Sequence, residues 1–240
     1  MDESTGRVAA ITPAAAKNRT CVVWIAGVGM DGPSHSAVLN EAEMARSVAF
    51  VKAIDRSRFT LGAALLRLVV ARQMGLHPSD VLVDRTCERC GKPHGKPQLP
   101  GTGLHASVSH SHHLVGVALT HVAPVGLDIE AIAVSRVSDW LVQECINADE
   151  PLQRPEDFFT YWCRKESVVK ATGDGLYVPL NKVVVSPANE PPCLVSYQGR
   201  RLSVTIKDID LDKAYAGAIS LLGDVDVDVS VRCAADIFDS

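Results

Sequence analysis

The run Thr20–Val28 (TCVVWIAGV) is apolar almost throughout and predicts a buried first strand. Helical spacing follows over residues 41–53 and 58–75. In the second stretch Leu61, Leu65, Leu68, Val69 and Met74 recur near the 3.6-residue period, and Gly75 stands where a left-handed C-cap belongs. Val81–Val83 predicts a short strand, and Cys87–Gly103, dense in Gly and Pro, reads as turns. Leu104–Ser109, Leu114–Thr120 and Val125–Ile129 predict three strands, with Pro124 as the break before the third. Residues 156–172 predict a helix that stops at Gly173. From Cys193 onward the pattern alternates through LVSYQGRRLSVTIKDID, AYAGAISLL and VDVDVSV, which predicts strands, mainly antiparallel. Residues 1–20 carry little periodicity and read as a mobile tail.

Both halves of this pattern run helix first, strands after. HLVGVALT (113–120) and AYAGAISLL (214–222) echo each other, so an internal duplication with its boundary near residues 121–125 is the expected organisation. That divides the chain into an N-terminal α/β subdomain (21–122) and a C-terminal one (123–240). The size fits: 240 residues make one large domain or two of about 120. With 47% hydrophobic and 22% charged residues there is ample material for a core, and the fold class is α/β of the α+β kind. The net charge of −4 disfavours a general nucleic-acid binder, which needs a basic footprint. No apolar run suits a secretory leader or a membrane span. The seven cysteines, at 21, 87, 90, 145, 163, 193 and 233, form no disulfide framework, so a cytoplasmic setting is expected.

Chemistry concentrates in a few places. Asp128 and Glu130 share one face of a strand, because residues two apart on a strand point the same way. Two adjacent carboxylates in an apolar strand repel unless a cation joins them, and hard oxygen ligands suit Mg2+. The plainer alternative is a solvated strand end. Glu166 and Lys170 lie four apart on a helix. They suit either an exposed ion pair or a base beside a cation that neutralises phosphate. Lys165 beside them reads as facing solvent or phosphate. Ser109 and His110 in SVSHSHH suit phosphate oxygens, and as neighbours on a strand they face opposite ways, against a direct dyad. Cys87-x-x-Cys90 with His94 resembles part of a zinc knuckle, to which His105 or His77 would add a fourth ligand. Arg46, Lys52, Arg56 and Arg58 cluster around a helix start, as a phosphate site or a solvated face.

Four segments in order resemble motifs of one enzyme family. They are Gly95-Lys96-Pro97; Ser107-Val108-Ser109-His110-Ser111; Val125-Gly126-Leu127-Asp128-Ile129-Glu130; and Trp162-Cys163-Arg164-Lys165-Glu166-Ser167-Val168-Val169-Lys170-Ala171. Together, over about residues 46–185, they resemble the 4'-phosphopantetheinyl transferases of the surfactin-synthetase-activating (Sfp) type. The departures are small: Leu127 stands where Ile or Val is usual, and a second Gly-Lys-Pro occupies 91–93. The resemblance implies two similar, pseudo-twofold-related subdomains, each a helix-backed and mainly antiparallel sheet, with the active site in the cleft between them. It implies coenzyme A and Mg2+ as ligands, and an apo acyl, peptidyl or aryl carrier protein of fatty-acid or secondary metabolism as partner. The expected reaction moves the phosphopantetheine arm onto a carrier serine and releases adenosine 3',5'-bisphosphate. By position, Asp128, Glu130 and a third carboxylate (Glu150, with Asp149 the competitor) would hold Mg2+. Glu166 would deprotonate the serine and Lys170 would stabilise the pyrophosphate charge. Lys96, Ser109 and His110 would contact coenzyme A, with Arg58 and Arg46 on its 3'-phosphate. A monomer is expected. A zinc-knuckle binding module and a metal-dependent phosphohydrolase are the alternatives.

Overall fold

A computed structural model describes residues 19–30 and 32–238; the tail expected at 1–20 lies almost wholly outside them. The strands are β1 Thr20–Gly27, β2 Asp84–Thr86, β3 Pro93–Gln98, β4 His105–Ser111, β5 Leu114–Thr120, β6 Val125–Ala131, β7 Val183–Val185, β8 Leu194–Tyr197, β9 Val204–Asp208, β10 Tyr215–Leu222 and β11 Asp228–Cys233. The helices are α1 Pro33–Ala37, α2 Glu41–Val48, α3 Ala53–Met74, α4 Asp139–Cys145, α5 Asp157–Thr172 and α6 Ala235–Phe238. No described helix is long and apolar enough to cross a membrane.

The strands form a six-stranded sheet, β11-β1-β5-β4-β3-β2, a three-stranded sheet, β6-β10-β9, and the pair β7-β8. All pairings are antiparallel except β1 with β11. The echoed segments are the central strands β5 and β10, each flanked by antiparallel neighbours. Apolar residues of α3, Leu61, Leu65, Leu66 and Val69 among them, pack with Val115, Val117 and Leu119 of β5. On the other side of the molecule Val168 and Val169 of α5 join Phe158, Val183 and Ile206. A third cluster, with Cys21, Val23, Ala118, Leu127, Ile129 and Ile219, lies between the two main sheets. Two helix-backed, mainly antiparallel sheets thus meet face to face.

Several sequence expectations shift. The expected helix over 41–53 ends at Val48, and the next begins at Ala53 rather than 58. α2 is capped as its sequence allows: Asn40 accepts from Glu43 N, and the Glu43 carboxylate reaches back to Asn40 N. The short strand is Asp84–Thr86, not Val81–Val83. Val81 is buried in the first core instead, and its carbonyl accepts from the buried Arg67. Part of the turn-rich segment is β3, hairpinned onto β2; a Cβ at Gly95 would lie 2.9 Å from the Thr86 carbonyl, so only glycine allows this approach. The boundary at 123 also needs correction. β11 returns to pair in parallel with β1, so the last described strand belongs to the first sheet. Alternation in VDVDVSV marks a strand but does not name its partner.

Where the sheets join, β6 is the edge strand of its sheet. Its outward N–H groups at Leu127, Ile129 and Ala131 donate to the hydroxyls of Ser107, Ser109 and Ser111 on β4, at 2.9, 3.1 and 3.0 Å. Alternate β6 residues then point toward α5. The first is Gly126, where an added Cβ would sit 1.9 Å from the Ser167 carbonyl and 2.4 Å from Ala171 N. Backbone atoms on both sides leave nothing to yield. We therefore expect Gly126→Ala to cost about 3 kcal/mol or more in urea unfolding; a loss under about 1 kcal/mol would mean that α5 is free to lift away.

Candidate active site

Asp128 and Glu130 follow Gly126 on the face of β6 that looks toward α5, and Glu166 and Lys170 lie one turn apart on that helix. The Lys170 ammonium donates to Asp128 Oδ1 at 2.6 Å and to Ser109 Oγ at 3.2 Å. Ser109 in turn donates to Asp128 Oδ1 at 3.0 Å. Side chains from the two expected halves therefore meet at the seam. Asp128 and Glu166 are 5% and 8% exposed. Asp128 Oδ2 and Glu166 Oε1 are fully buried and have no hydrogen-bond partner among the described residues. A buried carboxylate oxygen without a partner is costly, so both mark room for a cation or a donor.

The charges agree with this. Burial holds the Glu166 carboxyl above its usual range; Lys170 pulls it down, and Asp128 and Glu130 push it up again. Burial likewise raises Glu130, against a hydrogen bond with Ser111 and with the Asp128 charge adding to the rise. Burial alone would lower Lys170, but the Asp128 and Glu166 carboxylates outweigh it and leave the ammonium above its usual range. One cation thus faces three acids. The acid oxygens do not all lie within 4.8 Å of one another.

Around this centre stand other expected residues. His110 is exposed; desolvation, then Lys170 and Arg58, lower its pKa. Arg58, near the start of α3, donates to the His112 carbonyl and to Asp55, both at 2.7 Å. Arg46 donates to the Pro93 carbonyl at 2.8 Å and stacks over the Phe59 ring. The Lys96 ammonium reaches across the seam to the Ala171 carbonyl at 2.7 Å, and burial pulls its pKa from 10.5 to about 8.

Three expectations are overturned. Glu150 is not beside Asp128: it forms a fully buried ion pair with Lys165, and its oxygens also accept from Asn147 N at 2.7 Å and Val185 N at 2.9 Å. Both oxygens are engaged within the fold, and Lys165 already supplies the positive charge beside them. Asp149, its competitor, is exposed. Lys165 does not face solvent or phosphate; it is wholly buried and also donates to the Cys145 carbonyl at 2.7 Å. Ser109 is 4% exposed and already serves Ile129, Asp128 and Lys170, which leaves it no role on a phosphate. The third acid near Asp128 and Glu130 is Glu166. Its i, i+4 spacing to Lys170 was visible in the sequence, but its approach to β6 depends on Gly126.

A family model described as the 4'-phosphopantetheinyl transferase superfamily matches residues 124–220. Among known proteins, the 4'-phosphopantetheinyl transferase HetI of Nostoc sp. is 31% identical over 149 residues, 59% of this chain and 62% of HetI, just under two thirds of its length. The 4'-phosphopantetheinyl transferase gsp of Aneurinibacillus migulanus is 28% identical over 70% of each chain. The 4'-phosphopantetheinyl transferase Sfp of Bacillus subtilis is 28% identical over 69% of this chain and 74% of that protein.

The Glu150–Lys165 pair yields a direct check. Lys165→Met should cost about 3–5 kcal/mol by leaving a buried carboxylate uncompensated, and Glu150→Met added to it should restore much of the loss. A Lys165→Met protein as stable as the parent in urea unfolding would remove the structural role of the pair.

Proposed function

We propose that the chain is a 4'-phosphopantetheinyl transferase, as the relatives it resembles are, and that it transfers the 4'-phosphopantetheine arm of coenzyme A to a serine of an apo carrier protein. The observation that carries this reading is the seam itself. Asp128, Glu130 and Glu166 converge there beside Lys170, with two buried carboxylate oxygens unpartnered. An all-oxygen, acidic donor set suits Mg2+, and Asp128, Glu130 and Glu166 are the residues that would hold it, Glu166 in the place expected for Glu150. When bound, the ion offsets charge on the pyrophosphate and on the departing bisphosphate.

The protein's own groups do the rest. Glu166, with one buried oxygen unpartnered at the seam, takes the proton of the carrier serine, directly or through a water. The serine oxygen attacks the phosphorus that bears the pantetheine. A new P–O ester bond forms as the pyrophosphate bridge breaks, and adenosine 3',5'-bisphosphate leaves. Lys170, kept charged by its acidic neighbours, neutralises the transferring phosphoryl group. His110 and Lys96 line the approach to the seam from the first sheet and suit the phosphates of coenzyme A. Arg58 and Arg46 suit the 3'-phosphate: Arg58 lies near the start of α3, and Arg46, in the last turn of α2, lies over the Phe59 ring of α3. The active protein is proposed to be a monomer acting in the cytoplasm, on carriers of fatty-acid, polyketide or non-ribosomal peptide assembly.

The test is mass spectrometry of apo carrier proteins incubated with the chain, coenzyme A and Mg2+. One added phosphopantetheine is expected; no gain on any carrier of a broad panel contradicts the reading, and free phosphate released from small esters instead would favour a phosphohydrolase. Asp128→Asn should slow transfer at least about 100-fold while leaving the fold intact, as loss of a transition-state charge contact does. A second check uses pH. Lys96 is charged below its pKa of about 8 and neutral above it, so coenzyme A affinity should be level below pH 8 and fall as pH rises through it. Lys96→Gln should weaken binding and flatten that fall; an unchanged profile in the variant removes Lys96 from the site.

A further inference from the structure

The turn between β2 and β3 carries a cluster that transfer chemistry does not use. Cys87 Sγ, Cys90 Sγ and a His94 ring nitrogen all lie within 4.8 Å of one another, the only such trio of metal-ligating types among the described residues. Cys90 Sγ is 3.0 Å from His94 Nε2. The backbone is wound to bring this about. Cys87 N donates to the Lys92 carbonyl and Gly91 N to the Cys87 carbonyl, each at 2.8 Å. Gly91 takes φ +70°, the left-handed conformation that glycine allows at no cost. The N–H groups of Arg89 and Cys90 are also directed at the Cys87 sulfur. Zn2+ has legs of about 2.3 Å to sulfur and 2.0–2.1 Å to nitrogen, so its ligand atoms sit roughly 3.6–3.8 Å apart in a tetrahedron. The trio needs only small side-chain adjustments to reach that spacing.

We propose that Cys87, Cys90 and His94 bind one Zn2+ ion, with a solvent molecule in the fourth position, and that the ion staples the β2–β3 turn. Two thiolates and an imidazole select zinc over the hard Mg2+ of the seam. His105 and His77, expected from the sequence to complete the set, do not join it. The turn is worth stapling because it spans the two sheets' domains. Arg89, between the cysteines, lies 4.4 Å over the Tyr177 ring and 3.5 Å from Asp174, just beyond α5. Lys96, two residues past His94, meets Ala171 at the end of the same helix. The ion thus fixes a strap that runs from the first sheet to the last turn of α5. This proposal stands whether or not the transferase reading holds.

The experiment uses full-length, tag-free protein purified without chelator. Zinc is measured by elemental analysis after gel filtration, followed by replacement with Co2+. About one zinc per chain is expected, and the cobalt form should show the thiolate charge-transfer band and the visible spectrum of a tetrahedral site. Cys90→Ser and His94→Ala, both at exposed positions, should lose the retained zinc. Cys193→Ser, an exposed cysteine outside the turn, should keep it. Chelation should lower the melting temperature of the parent and leave that of Cys90→Ser unchanged. Zinc-free protein with no cobalt charge transfer overturns the proposal. So does zinc retained in Cys90→Ser, or a Cys87–Cys90 disulfide in protein kept under reducing conditions.

Discussion

The edge of β6 has to be covered, and three serine hydroxyls do it. A buried edge strand presents N–H groups that cost about 1–3 kcal/mol each if left without a partner. Ser107, Ser109 and Ser111 supply those partners from β4. Side chains, rather than a ladder of main-chain bonds, thus join two sheets that are otherwise complete. A side-chain seam leaves room that a continuous sheet would fill. Asp128 can stand within that room, held by Ser109 on one side and Lys170 on the other. The same serines that close the fold therefore also aim the acid.

Helix α5 works in the opposite sense on its several faces. Arg164 grips Asp208 through two nitrogens, at 2.9 and 2.6 Å, and anchors the helix outward. Lys165 buries its charge against Glu150 on another side. Glu166 and Lys170 then look at β6. The helix reaches β6 closely only because Gly126 lacks a side chain. Adjacent residues of one charged run, Arg164-Lys165-Glu166, consequently divide their roles. Two anchor the helix, and the third belongs to the candidate site.

That division explains what the sequence could and could not reveal. The parity of β6 and the one-turn spacing of Glu166 and Lys170 are local, so period two and period 3.6 are enough to read them. The core face of α3 and the strands β1, β4, β5, β6 and β10 are legible for the same reason. The fate of Glu150 is not local. Its partner Lys165 lies fifteen positions on, behind a loop, and nothing in ADEPLQ distinguishes a metal ligand from the buried half of an ion pair. Ser109 is similar: its motif suggests an anion contact, while the structure spends the hydroxyl on a neighbouring strand's N–H. β11 pairs across almost the whole chain length, which alternation cannot foretell.

The central claim is that Asp128, Glu130 and Glu166, and not Glu150, share one cation. In this structure Lys170 supplies the positive charge among them. A crystal structure with coenzyme A and Mn2+ in place of Mg2+ addresses this most directly, because manganese identifies itself by anomalous scattering. The account predicts a single peak about 2.1–2.2 Å from oxygens of all three acids, close to the Mg2+ distance. Glu150 should still be paired with Lys165. A peak on Glu150, or one that leaves Glu166 uncoordinated, would contradict it.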